Sequence, residues 1–285
     1  MTTQTGGRNK PVLYHRMSET RKEATPWGSK GVLFSNWDEL KLNGSLVTFT
    51  AETAYTEWAD AQPENLCVVE DGQGKLTFHG KQYSVKKGFA LKIFPGQNPV
   101  VKPEGSLTLL SVQMPSSENM ERPGEDLTKL AVVDVEKLES KVYEYEALAQ
   151  EVFTPAYENS LGLLTFIFPI REIPFHIHPH SGRLIRTISG KGWTYAEPNV
   201  YEMNEDTLAL FPKGTVHTNG PVPGEIYKVY AFQLPWVKSK IDEVNIAGSP
   251  KFVKYVGTTP PKALWKTKQN FLDVIKRLSP EFKIK

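Results

Sequence analysis

Two stretches of this 285-residue chain follow the same pattern. The segment DGQGKLTFHGKQYSVKKGFALKIFPGQNPVV aligns with SGKGWTYAEPNVYEMNEDTLALFPKGTVHTN further along the chain. The alignment pairs Gly72 with Gly190 and Tyr83 with Tyr201, and a strand-like segment ending in Gln-x-Pro follows each copy. Self-similarity over this length indicates a duplicated structural unit. We therefore expect two similar units in tandem.

Short strand-like runs follow one another through both units. Apolar and polar residues alternate in segments such as LTFH, and a period of two is typical of a strand with one buried face. The chain has 21 prolines and 21 glycines, which favour tight turns between strands. A helical period appears near the end, over Lys262–Leu278. The sequence predicts an all-β fold with a C-terminal helix.

The composition changes along the chain and suggests five parts. The first residues are polar and irregular, and the stretch between the two units is polar at first and then charged and partly helical in pattern. We expect an N-terminal arm, a first β unit, a linker, a second β unit and a C-terminal extension with a helix, over residues 1–30, 31–118, 119–150, 151–240 and 241–285.

Charge and cysteine content exclude several function classes. The net charge of +2 provides no electrostatic basis for nucleic acid as the main partner. The single cysteine, Cys67, rules out an intramolecular disulfide and a cysteine-based zinc cluster, and we expect it to be an inert core residue. The longest apolar run, residues 161–170, is too short to span a bilayer, and the first ten residues lack the apolar stretch of a secretory signal. We expect a soluble, cytoplasmic protein without a membrane partner.

Four of the six histidines lie in two short segments of the second unit. PFHIHPHSGR contains His176, His178 and His180, and FPKGTVHTNG contains His217. Residues two apart on a strand point to the same face, so His176 and His178 can converge, and His217 can join them from a later strand. Three imidazoles arranged in this way bind a divalent metal and leave coordination positions open. The alternative is a set of surface or otherwise satisfied histidines, and Pro179 leaves the role of His180 open.

These motifs resemble those of the cupin superfamily. HIHPHSGRLIRTISG resembles its first motif, and FPKGTVHTN resembles its second, Pro-x-Gly-x-x-His. The resemblance covers about residues 160–234 and extends weakly, through the repeat, to 45–115. It implies a bicupin of two double-stranded β-helix (jelly-roll) barrels, with a metal held in the second by His176, His178 and His217. The first barrel would be degenerate, because the corresponding positions hold Trp58, Asp60 and Val100.

One position departs from the cupin pattern. Where the first motif has a glutamate, this chain has Arg183. At about 6 Å and an effective dielectric near 20, a divalent metal would repel this guanidinium by roughly 5 kcal/mol. A buried Arg183 therefore needs an anion, which we interpret as a carboxylate, enolate or phosphate of the substrate. The alternatives are a carboxylate of the protein, or a strand shift that turns Arg183 to solvent.

Aromatic residues of the second unit are further candidates. Tyr195 could donate a hydrogen bond or a proton to bound substrate. The remaining aromatic residues could line the second barrel, although side chains of this kind more often fill barrels of this size; they are Trp193, Phe211, Phe166 and Phe168.

Three functions are compatible with these features. The first is a mononuclear non-haem oxygenase, with Fe(II) as the metal, that acts on a small anionic or chelating metabolite. In the second, Zn, Ni or Mn serves as a Lewis acid for an isomerase, cyclase or lyase reaction. The third is a non-catalytic cupin that binds a small ligand. Cupins often pair through sheet edges, so we also expect a homodimer.

Overall fold

The computed structural model describes residues 12–59, 63–115, 122–142, 147–169, 172–196, 199–237, 242–245 and 254–256. Almost all of the regular structure in these residues is β-strand, in three sheets. The helical elements there are one turn of α-helix and two 3-10 turns, α1 Tyr55–Trp58, Met17–Glu19 and Val135–Lys137. The predicted all-β fold is confirmed. The helix predicted over 262–278 lies outside the described residues.

The first half of the chain forms a nine-stranded sheet. Its strands run in the order β10-β8-β6-β9-β4-β3-β2, with β5 paired to β9 and β7 paired to β6. They are β2 Lys22–Thr25, β3 Gly28–Trp37, β4 Leu42–Phe49, β5 Thr53–Ala54, β6 Glu64–Phe78, β7 Lys81–Lys86, β8 Phe89–Ile93, β9 Val100–Met114 and β10 Ala131–Asp134.

The second half, together with β1 from the start of the chain, forms two sheets. A seven-stranded sheet has the order β1-β18-β15-β20-β13-β12-β11, with β1 Leu13–Arg16, β11 Lys141–Val142, β12 Leu148–Phe153, β13 Ser160–Phe168, β15 Gly182–Ser189, β18 Thr207–Phe211 and β20 Tyr227–Trp236. A six-stranded sheet has the order β21-β14-β19-β16-β17-β22, with β14 His176–Ile177, β16 Gly192–Ala196, β17 Asn199–Met203, β19 His217–Pro221, β21 Val244–Asn245 and β22 Lys254–Val256.

Three hydrophobic clusters hold these sheets together. One consists of residues of the first half alone, such as Phe49 and Leu76. A second consists mainly of residues of the second half, such as Phe168 and Tyr227. The third joins the halves. Side chains alternate between the two faces of β6, so one face packs within the first half while Leu66, on the other face, joins a cluster with residues of β15 and β20. The two halves therefore share a buried apolar interface.

The glycine repeat has the same structural cause in both halves. Gly72 has φ +76° and Gly190 has φ +77°, a left-handed conformation that favours glycine. A Cβ atom would lie 2.0 Å from the Ser106 carbonyl oxygen at Gly72, and 1.9 Å from that of Ile226 at Gly190. Each chain bend therefore requires glycine. The two glycines that the sequence alignment pairs therefore have the same backbone conformation and the same close contact with a carbonyl oxygen.

Charged side chains are also buried between the halves. Arg186 of β15 donates two hydrogen bonds to the Glu70 carboxylate of β6, at 3.0 and 2.6 Å. Lys92 lies 3.1 Å from Glu64 and donates to Ser160 Oγ and to the Leu161 carbonyl, at 2.6 and 2.8 Å. Buried ion pairs require well-placed partners, so these contacts restrict how the halves can dock.

Two segments differ from the sequence prediction. Residues 13–16, expected to be part of an irregular arm, form β1 and pair with β18 of the second half, and β2 and part of β3 extend the sheet of the first half. In the stretch expected to be a partly helical linker, β10 pairs with β8, and β11 pairs with β12. Edge strands obtain their hydrogen bonds from a distant partner, so a short strand such as LYHR carries little local signal. Among the described residues, no helix is long and apolar enough to cross a membrane.

Candidate metal centre

The structure brings His176, His178 and His217 together. His176 on β14 lies directly opposite His217 on β19 in antiparallel register, and their ring centroids are 4.1 Å apart. The ring of His178, two residues after His176, lies 4.9 Å from the ring of His176 and 5.1 Å from that of His217. One nitrogen of each ring falls within 4.8 Å of the others. In the part of the chain that the structure describes, His180 is not a member of this group; its residue is exposed.

Backbone carbonyls orient two of these rings. Nδ1 of His176 lies 2.8 Å from the Pro174 carbonyl oxygen, and Nδ1 of His217 lies 2.9 Å from that of Thr215. A carbonyl only accepts, so each Nδ1 carries the hydrogen and donates it. This tautomer leaves the Nε2 lone pair available, which is the arrangement found in metal-binding histidines.

The third ring is held by Asp242. The backbone carbonyl of Asp242 makes a short hydrogen bond with His178 Nδ1. Arg183 Nη2 also lies 2.8 Å from this Nδ1, but a nitrogen that donates to the carbonyl cannot accept from a guanidinium. The tautomer that leaves Nε2 for a metal therefore satisfies the carbonyl, and Arg183 directs its hydrogens to the neighbouring oxygens.

Burial keeps the three imidazoles neutral. His176, His178 and His217 are 3%, 6% and 2% exposed. Burial lowers the pKa of all three rings, and the positive charge of Arg183 lowers it further. Neutral imidazole is the metal-binding form, so the rings need not lose a proton to bind a cation at pH 7.

The arrangement fits a divalent metal. Three neutral nitrogen donors from adjacent strands form one face of a coordination sphere and leave the remaining positions open. Among the described residues, no carboxylate belongs to this group. A bound divalent ion would therefore keep its full charge and would attract anionic donors.

Arg183 lies beside this group and is paired with a carboxylate of the protein. Its Nη2 is 3.3 Å from Asp242 Oδ2, its Nη1 donates to the Gly182 carbonyl at 3.0 Å, and it makes a short contact with Ser181 Oγ. The Asp242 carboxylate also accepts from Ser181 Oγ and, at 2.9 Å, from the His180 N–H. Of the interpretations left open for Arg183, the observed partner is the protein carboxylate.

Tyr195 does not join the histidines. On β16, His217 lies opposite Ala196, whereas Tyr195 lies opposite Thr218. Residues directly opposite each other share a face of the sheet, so the Tyr195 side chain lies on the face away from His217. Its ring packs edge-on against Phe175, with centroids 5.2 Å apart. The predicted contact between Tyr195 and substrate therefore has no support in this arrangement.

The other aromatic candidates differ in whether they lie near the histidines. Trp193 shares the face of Tyr195, and the ring of Phe211 lies 4.4 Å from the ring of His217. Phe166 and Phe168 line a cavity of about 410 Å³ that also includes the three histidines and Arg183. Their rings stack with centroids 6.0 Å apart.

Two residues of the cavity were not predicted from the sequence. Asp242 is 59 residues from Arg183 in the chain, and no local motif marks it. Gln233 lies opposite Arg183 in the sheet and lines the cavity. The Gln-x-Pro motif that ends both aligned segments could have pointed to Gln233. In the first half the matching glutamine, Gln113, lies opposite Asn65, the residue that the alignment pairs with Arg183. Trp58, which the sequence alignment pairs with His176, is 2% exposed in the apolar core, and Asp60 lies outside the described residues. The strand register instead places Ala54 opposite Val100, as His176 lies opposite His217.

No protein-family model matches the chain, and no curated protein matches it. Solved structures do match. A putative glyoxylate-induced protein from Pseudomonas aeruginosa has a TM-score of 0.66 at 13% identity, over 85% of this chain and 94% of that chain. Ylba from E. coli has a TM-score of 0.62 at 12% identity, over 82% and 95%. Oxalate decarboxylase from Bacillus subtilis, described with Mn(II) centres, has a TM-score of 0.60 at 11% identity, over 86% and 81%. At these identities the similarity concerns the fold alone, and it shows that this chain has the fold of cupin-type proteins.

Proposed function

We propose that this protein is a mononuclear metal-dependent enzyme that binds Fe(II) and uses oxygen to transform a small metabolite. The observation that carries the proposal is the convergence of three buried, neutral imidazoles on the wall of a 410 Å³ cavity. Cavities of this size suit small molecules. Bound Fe(II) would supply open positions for oxygen and for an oxygen donor of the substrate.

The chain's own residues would hold the metal and orient the substrate. The carbonyls of Pro174, Thr215 and Asp242 fix the three rings so that each presents Nε2. Apolar side chains form much of the cavity wall, and Asn219 and Gln233 add polar groups to it. Asn219 already accepts a hydrogen bond from Thr194 at 2.5 Å, which fixes its side chain. An apolar wall with a few fixed polar groups is typical of small-molecule sites.

The first half has a structural role in this proposal. We propose that it is a duplicated barrel without a metal, because Ala54 lies opposite Val100 where the second half has His176 opposite His217. Its interface with the second half would then support β13, β15 and β20, which form a wall of the cavity. Homodimer formation and a cytoplasmic location remain predictions.

A second candidate is a metal-dependent reaction without oxygen. Oxalate decarboxylase, which shares the fold and is described with Mn(II) centres, favours a metal other than iron, although that protein is only 11% identical. A redox-inert metal would then act as a Lewis acid. Retained activity with such a metal in the absence of oxygen would favour this candidate over the oxygenase.

The experiment combines metal analysis with a probe of the open position. Protein purified without chelators and loaded with Fe(II) under anaerobic conditions should bind one metal per chain, and nitric oxide, a surrogate for oxygen, should then produce an iron-nitrosyl signal in electron paramagnetic resonance. His217→Ala should lose both. His180→Ala is the matched control, because it removes a neighbouring exposed imidazole and keeps the backbone N–H that Asp242 accepts from. Equal metal content in His217→Ala and the unmodified protein would contradict the proposal.

A further inference from the structure

We infer that the ligand of this cavity combines a small oxygen-bearing head, held at the three histidines, with a compact apolar body that packs on Leu164 and Phe166 in two apolar rows of the facing sheet. The inference rests on the proposed metal site and deepens it by naming the class of ligand. It depends on the register of four strands and on the pairing of the charges around the cavity.

The strand register aligns apolar side chains in rows across the seven-stranded sheet. Residues directly opposite one another on neighbouring strands share a face. One row crosses β15, β20 and β13, and the next crosses β20, β13 and β12. All six side chains line the cavity: Ile185, Ala231 and Leu164 in the first row, and Val229, Phe166 and Ala149 in the second.

The uncovered apolar surface in these rows belongs to two side chains, Leu164 and Phe166, because the other four are at most 7% exposed. β13 is an inner strand, between β12 and β20, and its residues Leu163 and Ile167 are 0% and 1% exposed. Leu164 and Phe166, which alternate with them and face the cavity, are only half-buried. Removing apolar surface of this kind from water is favourable, so a ligand with an apolar body gains affinity by covering it.

The cationic side chains that line the cavity are already paired with carboxylates of the protein. Arg183 lies 3.3 Å from Asp242 Oδ2, and Lys141 lies 3.0 Å from Glu151 Oε2. All four residues line the cavity, and Glu243 adds a further carboxylate to the lining. A second anionic group on the ligand, away from the metal, would therefore meet compensated cations and an additional negative charge. The ligand class that fits has its charge at the head and none on the body.

The test uses three hydroxamates with the same chelating head. Acetohydroxamate carries a methyl group, benzohydroxamate a phenyl group, and 4-carboxybenzohydroxamate a phenyl group with an added carboxylate. Each is titrated into Co(II)-loaded protein, and the visible absorption of the metal reports binding. We expect benzohydroxamate to bind about tenfold or more tightly than acetohydroxamate, because the phenyl group buries more apolar surface. The added carboxylate should remove most of that gain.

Variants connect the preference to the cavity wall. Phe166→Ala should reduce the preference for benzohydroxamate to about threefold or less, and Leu164→Ala should lower it in the same direction. Phe89→Ala is the matched control, because Phe89 is a half-buried aromatic residue in the cluster of the first half. The absorption of bound Co(II) before titration shows whether each variant keeps an intact metal site.

The possible failures can be distinguished. If the protein takes up no Co(II), the proposed metal site is wrong and this inference fails with it. If Co(II) binds but the phenyl and methyl hydroxamates bind equally, or the carboxylated one binds most tightly, the inference is overturned while the metal site stands. An unchanged preference in both Phe166→Ala and Leu164→Ala would also overturn it.

Discussion

Asp242 holds Arg183 through its carboxylate, with Oδ2 3.3 Å from Nη2, while its backbone carbonyl accepts from His178. One residue of a short segment beyond the barrel thus contacts both a histidine and the arginine beside it. β21 continues this segment and pairs with β14, where Asn245 lies opposite His176. Residues 242–245 therefore close the candidate site with a local set of hydrogen bonds.

Asp242→Asn should weaken metal binding. The amide keeps the size of the side chain and removes its charge, so that Arg183 would repel a divalent ion without compensation. The backbone carbonyl that orients His178 is kept, so the lost charge alone should act, and we expect the Kd for Co(II) to rise by about tenfold. Competition with a chromophoric chelator measures it.

Asp126→Asn serves as the control for this substitution. Asp126 is an exposed carboxylate of the first half that pairs with Lys129 at 2.7 Å. The same chemical change there should leave the Kd unchanged. An equal Kd for the Asp242→Asn variant and the unmodified protein would show that the Asp242 carboxylate does not support the site.

The buried pair of Arg186 and Glu70 should dominate the docking of the two halves. Their side chains are 8% and 13% exposed, so Glu70→Gln leaves a buried guanidinium without its counter-charge. We expect a loss of about 3–5 kcal/mol in the free energy of unfolding, measured by chemical denaturation. The double variant Glu70→Leu with Arg186→Met should recover most of it. Glu39→Gln, which breaks an exposed pair with Lys213, should change stability by about 0.5 kcal/mol or less.

Gly72→Ala and Gly190→Ala should destabilise the protein to a similar extent. At both positions a Cβ would meet a backbone carbonyl oxygen, at 2.0 and 1.9 Å, in addition to the left-handed φ. We expect a loss of about 2–4 kcal/mol for each. Gly80→Ala is the matched control, since its φ of +73° has no heavy atom near the added Cβ, and about 1–2 kcal/mol is expected. Equal losses at all three positions would refute the steric explanation.

Cys67 should react with a thiol reagent only when the protein unfolds. Its side chain is fully buried, Sγ donates to Asn65 Oδ1 at 3.2 Å, and burial raises the pKa of the thiol to about 12. Since the thiolate is the reactive form, labelling at pH 8 should require loss of structure in the first half. Thr128→Cys in a Cys67→Ser background, at an exposed turn position, should react rapidly in the same buffer. Rapid labelling of Cys67 in native protein would contradict its placement in the core.

Local patterns in the sequence account for the strands and for the histidines. Alternation of polar and apolar residues follows from strand geometry, so the all-β fold could be predicted from runs such as LTFH. The same geometry places His176 and His178 on one face, and the motif around His217 provides the third ring. The repeated glycines mark two corresponding bends in the sequence. The backbone conformation at Gly72 and Gly190 explains why each bend requires glycine.

Contacts between distant segments could not be predicted in this way. The sequence by itself determined the residue types of the site and the period that buries them, because both depend on neighbours in the chain. Only the tertiary structure decided that Asp242 pairs with Arg183, that β1 joins the second half, and that Tyr195 lies on the face away from His217. These relationships depend on strand register and on packing between separate segments. For Tyr195, a shift of one residue in the register of β16 would turn the side chain to the opposite face of its sheet.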